Sequence, residues 1–201
     1  MLELYIYLVS GWLLFCLLHG IMATLWFKTI ATKILGKYFR YYQMLYSSFF
    51  LIFLVLLLRY QFQLSEPLLF HLNKVVEGLA ALTLVIALVI MMTASAKYFL
   101  QVTGINVFAK NSSKDKFIYS GINSVIRHPL YAGTLLFIWS LAIFFPYTSS
   151  LIACIIITLY VFIGIKFEEK KLIIKYGKAY KEYISRVPML IPAFKFSNNP
   201  Q

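Results

Sequence analysis

The chain has 201 residues, 61% of them hydrophobic and only 13% charged, with a mean hydropathy of +0.79. This composition excludes an ordinary soluble domain and leaves room for one compact unit solvated largely by lipid. The formal net charge of +12 comes without a nucleic-acid recognition motif, so no nucleic-acid partner is expected and the charge is read as membrane topology and attraction to anionic lipid.

Taken in chain order, the first apolar run extends from about Leu4 to Phe27 and is interrupted by one ionisable residue, His19. It is too long for a signal-peptide core and lacks preceding basic residues, so a retained helix is expected. Lys28, Lys33, Lys37 and Arg40 then form a short basic loop. A second span follows from about Tyr41 to Leu58, with Tyr41, Tyr42 and Tyr46 placed as interfacial aromatics. A loop containing Ser65-Glu66-Pro67 leads to a third span, about Val75 to Ala96. The polar connection from Lys97 to Arg127 holds Gly104, an Asn111-Ser112-Ser113 turn, Lys114, Asp115, Lys116 and Gly121. Two shorter apolar runs, Leu130 to Phe145 and Ser149 to Lys166, are joined at Pro146-Tyr147 and read as a helical hairpin. A span needs about 20 residues to cross roughly 30 Å of hydrocarbon. The first three runs meet that length and the hairpin arms fall short of it.

Cys16 and Cys154 lie singly in apolar runs, as small buried hydrophobes do, and neither a disulfide framework nor a metal site is expected. Nearly all Lys and Arg fall in the first loop, the 97–127 connection or the tail, Arg59 and Lys74 excepted. With five spans those three regions share one membrane side, which the positive-inside rule makes cytoplasmic, with the N-terminus outside. In the tail, Phe167, Leu172, Tyr176, Ala179, Tyr180, Tyr183 and Val187 recur at helical spacing. Lys171, Lys175, Lys178 and Lys181 lie largely away from that stripe. The pattern describes a basic amphipathic helix continuing from the last span into the interface, locally weakened at Gly177 and ended by Pro188 and Pro192. The segment from Val187 to Pro192 is expected to pack back onto the bundle.

The hairpin returns to its starting side, so Arg127-His128-Pro129 and Glu168-Glu169 meet at one membrane boundary. Arg127 has an ordinary reading as a charge snorkelling to headgroups. His128 precedes a proline suited to the first turn of a helix, which places it at the cap, where free backbone N–H groups favour an anion. Glutamates are unexpected at a cytoplasmic helix end. Lys166 and Lys171, at three-residue spacing, offer a local salt bridge, and a carboxylate held to grip a cation, an amine or ribose hydroxyls is the alternative. His19 is equally a functional group within the membrane or a neutral histidine bonded to a neighbouring helix.

The ordered set Arg127-His128-Pro129-Leu130-Tyr131, a helical hairpin, Glu168-Glu169, Tyr176-Gly177, Tyr180, Tyr183 and the Pro188 to Pro192 ending resembles the isoprenylcysteine carboxyl methyltransferase-like superfamily, to which phospholipid methyltransferases are related. The resemblance covers about the last half of the chain. The stretch Phe99-Leu100-Gln101-Val102-Thr103-Gly104, with His19 and the basic loop after it, is similar to the bacterial branch containing methanethiol S-methyltransferases and NnrU-like proteins. Where relatives often carry Gly-x-Tyr before the motif, this chain has Gly121-Ile122-Asn123.

The resemblance implies an all-α polytopic membrane bundle of about five transmembrane helices with a C-terminal amphipathic interfacial helix. It would be a single methyltransferase-like domain over residues 1–201: three N-terminal spans in 1–96, a cytoplasmic connection in 97–129, the hairpin in 130–166, and a cofactor-binding tail in 167–201. It further implies an S-adenosylmethionine-dependent methyltransferase in the bacterial inner membrane. Its acceptor would be lipophilic or small and membrane-permeant: a thiol such as methanethiol, a prenylcysteine or a lipid group. His128, Pro129, Tyr131, Glu168, Glu169 and Tyr180 would contact the cofactor, and Arg127 and His128 would serve the chemistry. Arg127 would meet the methionyl carboxylate or orient an acidic acceptor. The other reading is a non-enzymatic accessory or scaffold protein that retains the fold.

Overall fold

The computed structural model describes residues 2–96 and 120–192, and these form helices joined by short connections. In chain order they are α1 (Leu2–Ala23), α2 (Leu25–Leu35), a 3₁₀ segment (Gly36–Tyr41), α3 (Tyr42–Phe62), α4 (Lys74–Ala96), a 3₁₀ turn (Gly121–Ser124), α5 (Pro129–Phe144), α6 (Thr148–Tyr176) and α7 (Lys178–Arg186). The Phe99 to Gly104 stretch, the Asn111-Ser112-Ser113 turn and Lys114-Asp115-Lys116 lie outside the described residues.

Four helical stretches are long and apolar enough to cross a membrane: Leu2–Ala23, Leu25–Phe62, Lys74–Ala96 and Thr148–Tyr176. The helix Pro129–Phe144 is apolar but shorter; its 16 residues rise about 24 Å at 1.5 Å each. Residues exposed on these helices include Leu13, Leu17, Leu51, Leu56, Leu82, Val85 and Val89. Helices apolar on the outside as well as the inside belong in lipid. The all-α polytopic bundle expected from the sequence is thus the one observed.

Two expectations are corrected. The first span does not run to Phe27, because the helix breaks at Thr24. That residue is extended, and its hydroxyl accepts the Phe27 amide at 3.2 Å, the N-cap contact that starts a new helix. The basic loop is therefore α2 plus the 3₁₀ segment, with Lys28 and Lys33 on a helix and Trp26 and Ile34 exposed beside them. At the other end, α6 continues unbroken to Tyr176. At 29 residues it rises about 43 Å, beyond a roughly 30 Å core, so its last turns project from the membrane. Gly177, at φ +57°, then ends α6 and separates α7 from it, so it breaks the tail helix where only a weakening was expected.

Packing fixes which ends meet. Leu8 and Trp12 of α1 pack against Leu57 of α3 and Ala153 of α6, so α1 and α3 are antiparallel and α1 and α6 parallel. On the face where α6 begins, Glu66 Oε2 accepts from the Tyr5 hydroxyl (2.9 Å) and from the Ser149 amide (3.1 Å). This carboxylate caps the N-terminus of α6 and ties it to α1. The Leu69 amide donates to the Pro146 carbonyl at 2.7 Å, joining the 63–73 loop to the hairpin turn. The opposite face collects the end of α1, α2, the start of α3, the start of α5 and the end of α6.

α4 and α5 pack along their length, with Gly133 at the closest approach. A Cβ there would stand 2.6 Å from Met91 Cγ and 3.2 Å from the Ala87 carbonyl oxygen. Small residues at such crossings let backbones approach in lipid. Gly133→Val is expected to cost about 1–3 kcal/mol by prising α5 from α4. A thermal midpoint in detergent equal to that of the wild type would show that the crossing tolerates a side chain.

Candidate active site

Pro129 is the first residue of α5 and His128 its N-cap, with no capping bond from the histidine side chain. A proline at this position sacrifices no hydrogen bond and presets φ. The residues before it are held by the tail. The Arg127 amide donates to the Pro188 carbonyl at 2.9 Å, and the His128 amide to the Met189 carbonyl at 3.1 Å. The segment after α7 therefore packs back onto the bundle as a short backbone pairing with the Arg-His step.

Arg127 points at the tail as well. Its Nε donates to Glu169 Oε1 at 2.8 Å, and its Nη1 donates to the carbonyls of Ile184 (3.2 Å) and Val187 (2.6 Å). One guanidinium thus neutralises a carboxylate of α6 and satisfies carbonyls at the C-terminus of α7, where a cation suits the helix dipole. His128 Nε2 lies 3.1 Å from the same Glu169 oxygen. A carboxylate only accepts, so Nε2 carries a proton, and in the neutral ring Nδ1 holds the lone pair. That Nδ1 is 4.0 Å from Glu168 Oε2.

The two glutamates are therefore unequal. Glu169 is 19% exposed and held by Arg127 and His128, whose side chains are 10% and 4% exposed. Glu168 is 44% exposed and meets the Tyr131 hydroxyl. Tyr131 stands one turn into α5, its ring centroid 5.7 Å from that of His128. Successive residues on a helix point about 100° apart, which turns one carboxylate into the Arg-His clamp and leaves its neighbour facing Tyr131 and the start of α5.

Tyr180 is buried with Tyr183 and Val187 against Leu172, Ile173 and Tyr176. Burial, and after it the charge of Glu169, pushes its phenol above the ordinary range, so it stays neutral beneath the clamp. The Tyr183 hydroxyl donates to the Asn123 carbonyl at 2.5 Å, and the Asn123 amide reaches the Arg127 carbonyl at 3.4 Å. Tail, turn and Arg127 are one network, with Asn123 anchoring the tail where relatives of the resembled family often have an aromatic residue. The structure thus brings Arg127, His128, Glu169 and Tyr180 together as an interior cluster, with Pro129 buried beside them and Tyr131 and Glu168 on its open side.

His19, the other candidate, lies deeper. Its Nδ1 is 2.7 Å from the Tyr160 hydroxyl, and Tyr46 donates to its carbonyl at 3.1 Å. Sequence reading alone does not single out Tyr160, although Tyr160, Gly164 and Glu168 recur every four residues and so share one face of α6. A Cβ on Gly164 would stand 4.0 Å from the Tyr131 hydroxyl, which puts Tyr131 between the His19 pair and Glu168.

The residues on the open side suit a ligand that carries both positive and negative charge. Glu168 offers a carboxylate for a cationic amine, the first turn of α5 has amides without helical partners for an anion, and Tyr131 offers an aromatic face to positive charge.

Comparison with known proteins finds a family and relatives for the chain. The profile of a family described as phospholipid methyltransferase matches residues 74–179, which include Arg127, His128, Glu168 and Glu169. Methanethiol S-methyltransferase 1 of Bradyrhizobium diazoefficiens is 30% identical over 190 residues, covering 89% of this chain and 64% of that protein. Methanethiol S-methyltransferase of Crocosphaera subtropica is 36% identical over 77 residues, 38% of this chain and 29% of that protein. Methanethiol S-methyltransferase of Pseudomonas deceptionensis is 32% identical over 71 residues, 35% of this chain and 26% of that protein. The matched region thus spans less than two thirds of each of these relatives. No solved structure matches the chain.

Proposed function

This chain belongs to the phospholipid methyltransferase family, and from that premise we propose that it is an S-adenosylmethionine-dependent membrane methyltransferase acting on a small lipophilic thiol. The observation that carries the reading is the division between the two glutamates. Glu169 is consumed by Arg127 and His128, whereas Glu168 stands open beside Tyr131 and the start of α5. The thiol is favoured among possible acceptors because the relatives matching most of this chain or part of it are named for methanethiol.

In this reading Glu168 binds the methionyl ammonium, and the amides of Leu130 and Tyr131, which have no partner within α5, receive the methionyl carboxylate. Tyr131 lies along the positive charge. His128 orients Glu169 through its Nε2–H. Arg127, Glu169 and Tyr180 are positioning residues that lock the tail against the Arg-His step, and Pro129 fixes where α5 begins. The cofactor supplies a methyl group on a positively charged sulfur. The chain's own task is to align that group with an electron-rich acceptor and exclude water, and alignment can lower a barrier by about 7–11 kcal/mol. The site lies on the face bearing Lys28, Lys33, Lys37, Arg40 and the tail lysines. The positive-inside rule makes this the cytoplasmic face, with the N-terminus outside and the C-terminus inside, and the bacterial relatives favour a bacterial inner membrane.

The test is calorimetry with S-adenosylmethionine on detergent-purified protein. Wild type is expected to bind one equivalent, and folded His128→Ala at least about tenfold more weakly, a change of roughly 1.4 kcal/mol. Absence of binding by well-folded wild type, in detergent and in lipid, would instead favour an accessory protein that kept the fold.

A further inference from the structure

A cavity of about 380 Å³ opens between α1, α2 and the start of α3, lined by His19, Met22, Lys28, Tyr46, Ser47 and Phe50 among others. We infer that this cavity is the acceptor chamber, that it takes a small uncharged thiol, and that His19 receives the thiol proton. The inference rests on the methyltransferase reading for its second substrate, but its geometry is independent of the Glu168 site.

Position comes first. His19 is bonded to Tyr160, and Tyr160, Gly164 and Glu168 lie on one face of α6. Two helical turns, about 12 Å along the axis, separate Tyr160 from Glu168. The Tyr131 hydroxyl stands between them beside Gly164, and Tyr131, Tyr160 and Tyr46 lie within electrostatic reach of one another. A stripe of hydroxyl groups thus leads from the open carboxylate to the chamber. Gly164 lacks the side chain that would interrupt it.

Chemistry then selects the acceptor. The volume lies near the lower end of small-molecule pockets, about 300–1,000 Å³, enough for an alkanethiol or an aryl thiol. The aromatic and aliphatic lining suits a neutral molecule arriving from the bilayer. In the tautomer whose Nδ1–H donates to the Tyr160 oxygen, 2.7 Å away, His19 presents Nε2 as a base. The S–H bond breaks, the proton moves to that nitrogen, and the bonding pair stays on sulfur. An alcohol is too weak an acid for an imidazole to ionise. The Lys28 ammonium disfavours a cationic amine and favours a thiolate.

The test separates chamber from chemistry. In nanodiscs, ¹⁹F NMR of 4-fluorothiophenol without cofactor is expected to report a bound population in wild type, weakened at least about tenfold in Ser47→Trp, which fills the cavity. S-adenosylmethionine affinity, measured on both, should be unchanged and certifies that the variant is folded. His19→Gln should lower kcat for propanethiol about 100-fold, the scale of general-base catalysis. The loss for 4-fluorothiophenol, a stronger acid that needs the base less, should be much smaller. Equal thiol binding in wild type and Ser47→Trp would overturn the chamber, and equal kcat losses for the two thiols would overturn the proton-accepting role. Wild type that binds fluorothiophenol here but never binds S-adenosylmethionine would uphold the thiol site while removing the methyltransferase reading.

Discussion

Replacing Arg127 by alanine is expected to lower the thermal midpoint by roughly 10 °C and to open the tail beyond Gly177 to trypsin. The guanidinium is 10% exposed and makes three contacts, one to the Glu169 carboxylate and two to the carbonyls that end α7. Removing it leaves a largely buried carboxylate without its guanidinium partner, and strips a cation from the C-terminus of α7. Breaking a buried pair from one side costs about 3–5 kcal/mol. With about 2–4 °C per kcal/mol for a chain of this size, the lower end of that cost gives the stated shift. The tail pairs its Pro188 and Met189 carbonyls with the Arg127 and His128 amides, so loosening Arg127 undoes the docking of the whole segment and cleavage at Lys178 or Lys181 should accelerate. Arg127→Lys keeps the charge but not the fork, and should recover less than half of the loss. Wild-type midpoints and protease resistance in Arg127→Ala would show that α7 docks through its apolar face alone.

The network around Arg127 also shows how far a sequence can be read. Apolar runs placed the spans, and Arg-His-Pro at the start of one hairpin arm with Glu-Glu at the end of the other placed both clusters at one boundary. Pro129 marked the start of α5, and the aromatic spacing of the tail marked α7. These features are local, or follow from a helix having two ends. The break at Thr24 was not legible, because apolar residues continue through it and one N-capping hydroxyl decides the matter. The unequal fates of Glu168 and Glu169 were not legible either. Adjacent identical residues differ only in which side of α6 they leave from, and what each side meets is set by residues far away in the chain, Arg127 and His128 for Glu169. The pairing of His19 with Tyr160, 141 positions apart, joins α1 to α6, a contact no periodicity encodes. The Glu66 cap on α6 depends on the same kind of long-range closure. What long-range packing decides is thus the role of each polar group, whereas its approximate place was already written in the chain.

That difference between place and role is sharpest at the glutamate pair, where two nearly identical substitutions are expected to give opposite phenotypes. Glu168→Gln should weaken S-adenosylmethionine binding about 10- to 100-fold, some 1.4–2.8 kcal/mol, with a thermal midpoint within about a degree of wild type. Its carboxylate is 44% exposed and 4.0 Å from the nearest His128 nitrogen, a separation at which a solvated pair contributes little to stability. Glu169→Gln should lower the midpoint by several degrees, since Arg127 and His128 lose the one carboxylate oxygen they share. A carboxamide oxygen in its place can still accept from both donors but carries no charge, and a buried guanidinium then lacks a counter-charge. Its effect on cofactor affinity should follow from the tail and disappear when the protein is stabilised at low temperature, whereas the Glu168→Gln defect should persist at any temperature where the protein is folded. If Glu169→Gln abolishes binding at an unchanged midpoint while Glu168→Gln binds normally, the two roles are exchanged. The clamp on Glu169 would then be a resting arrangement that opens to admit the cofactor.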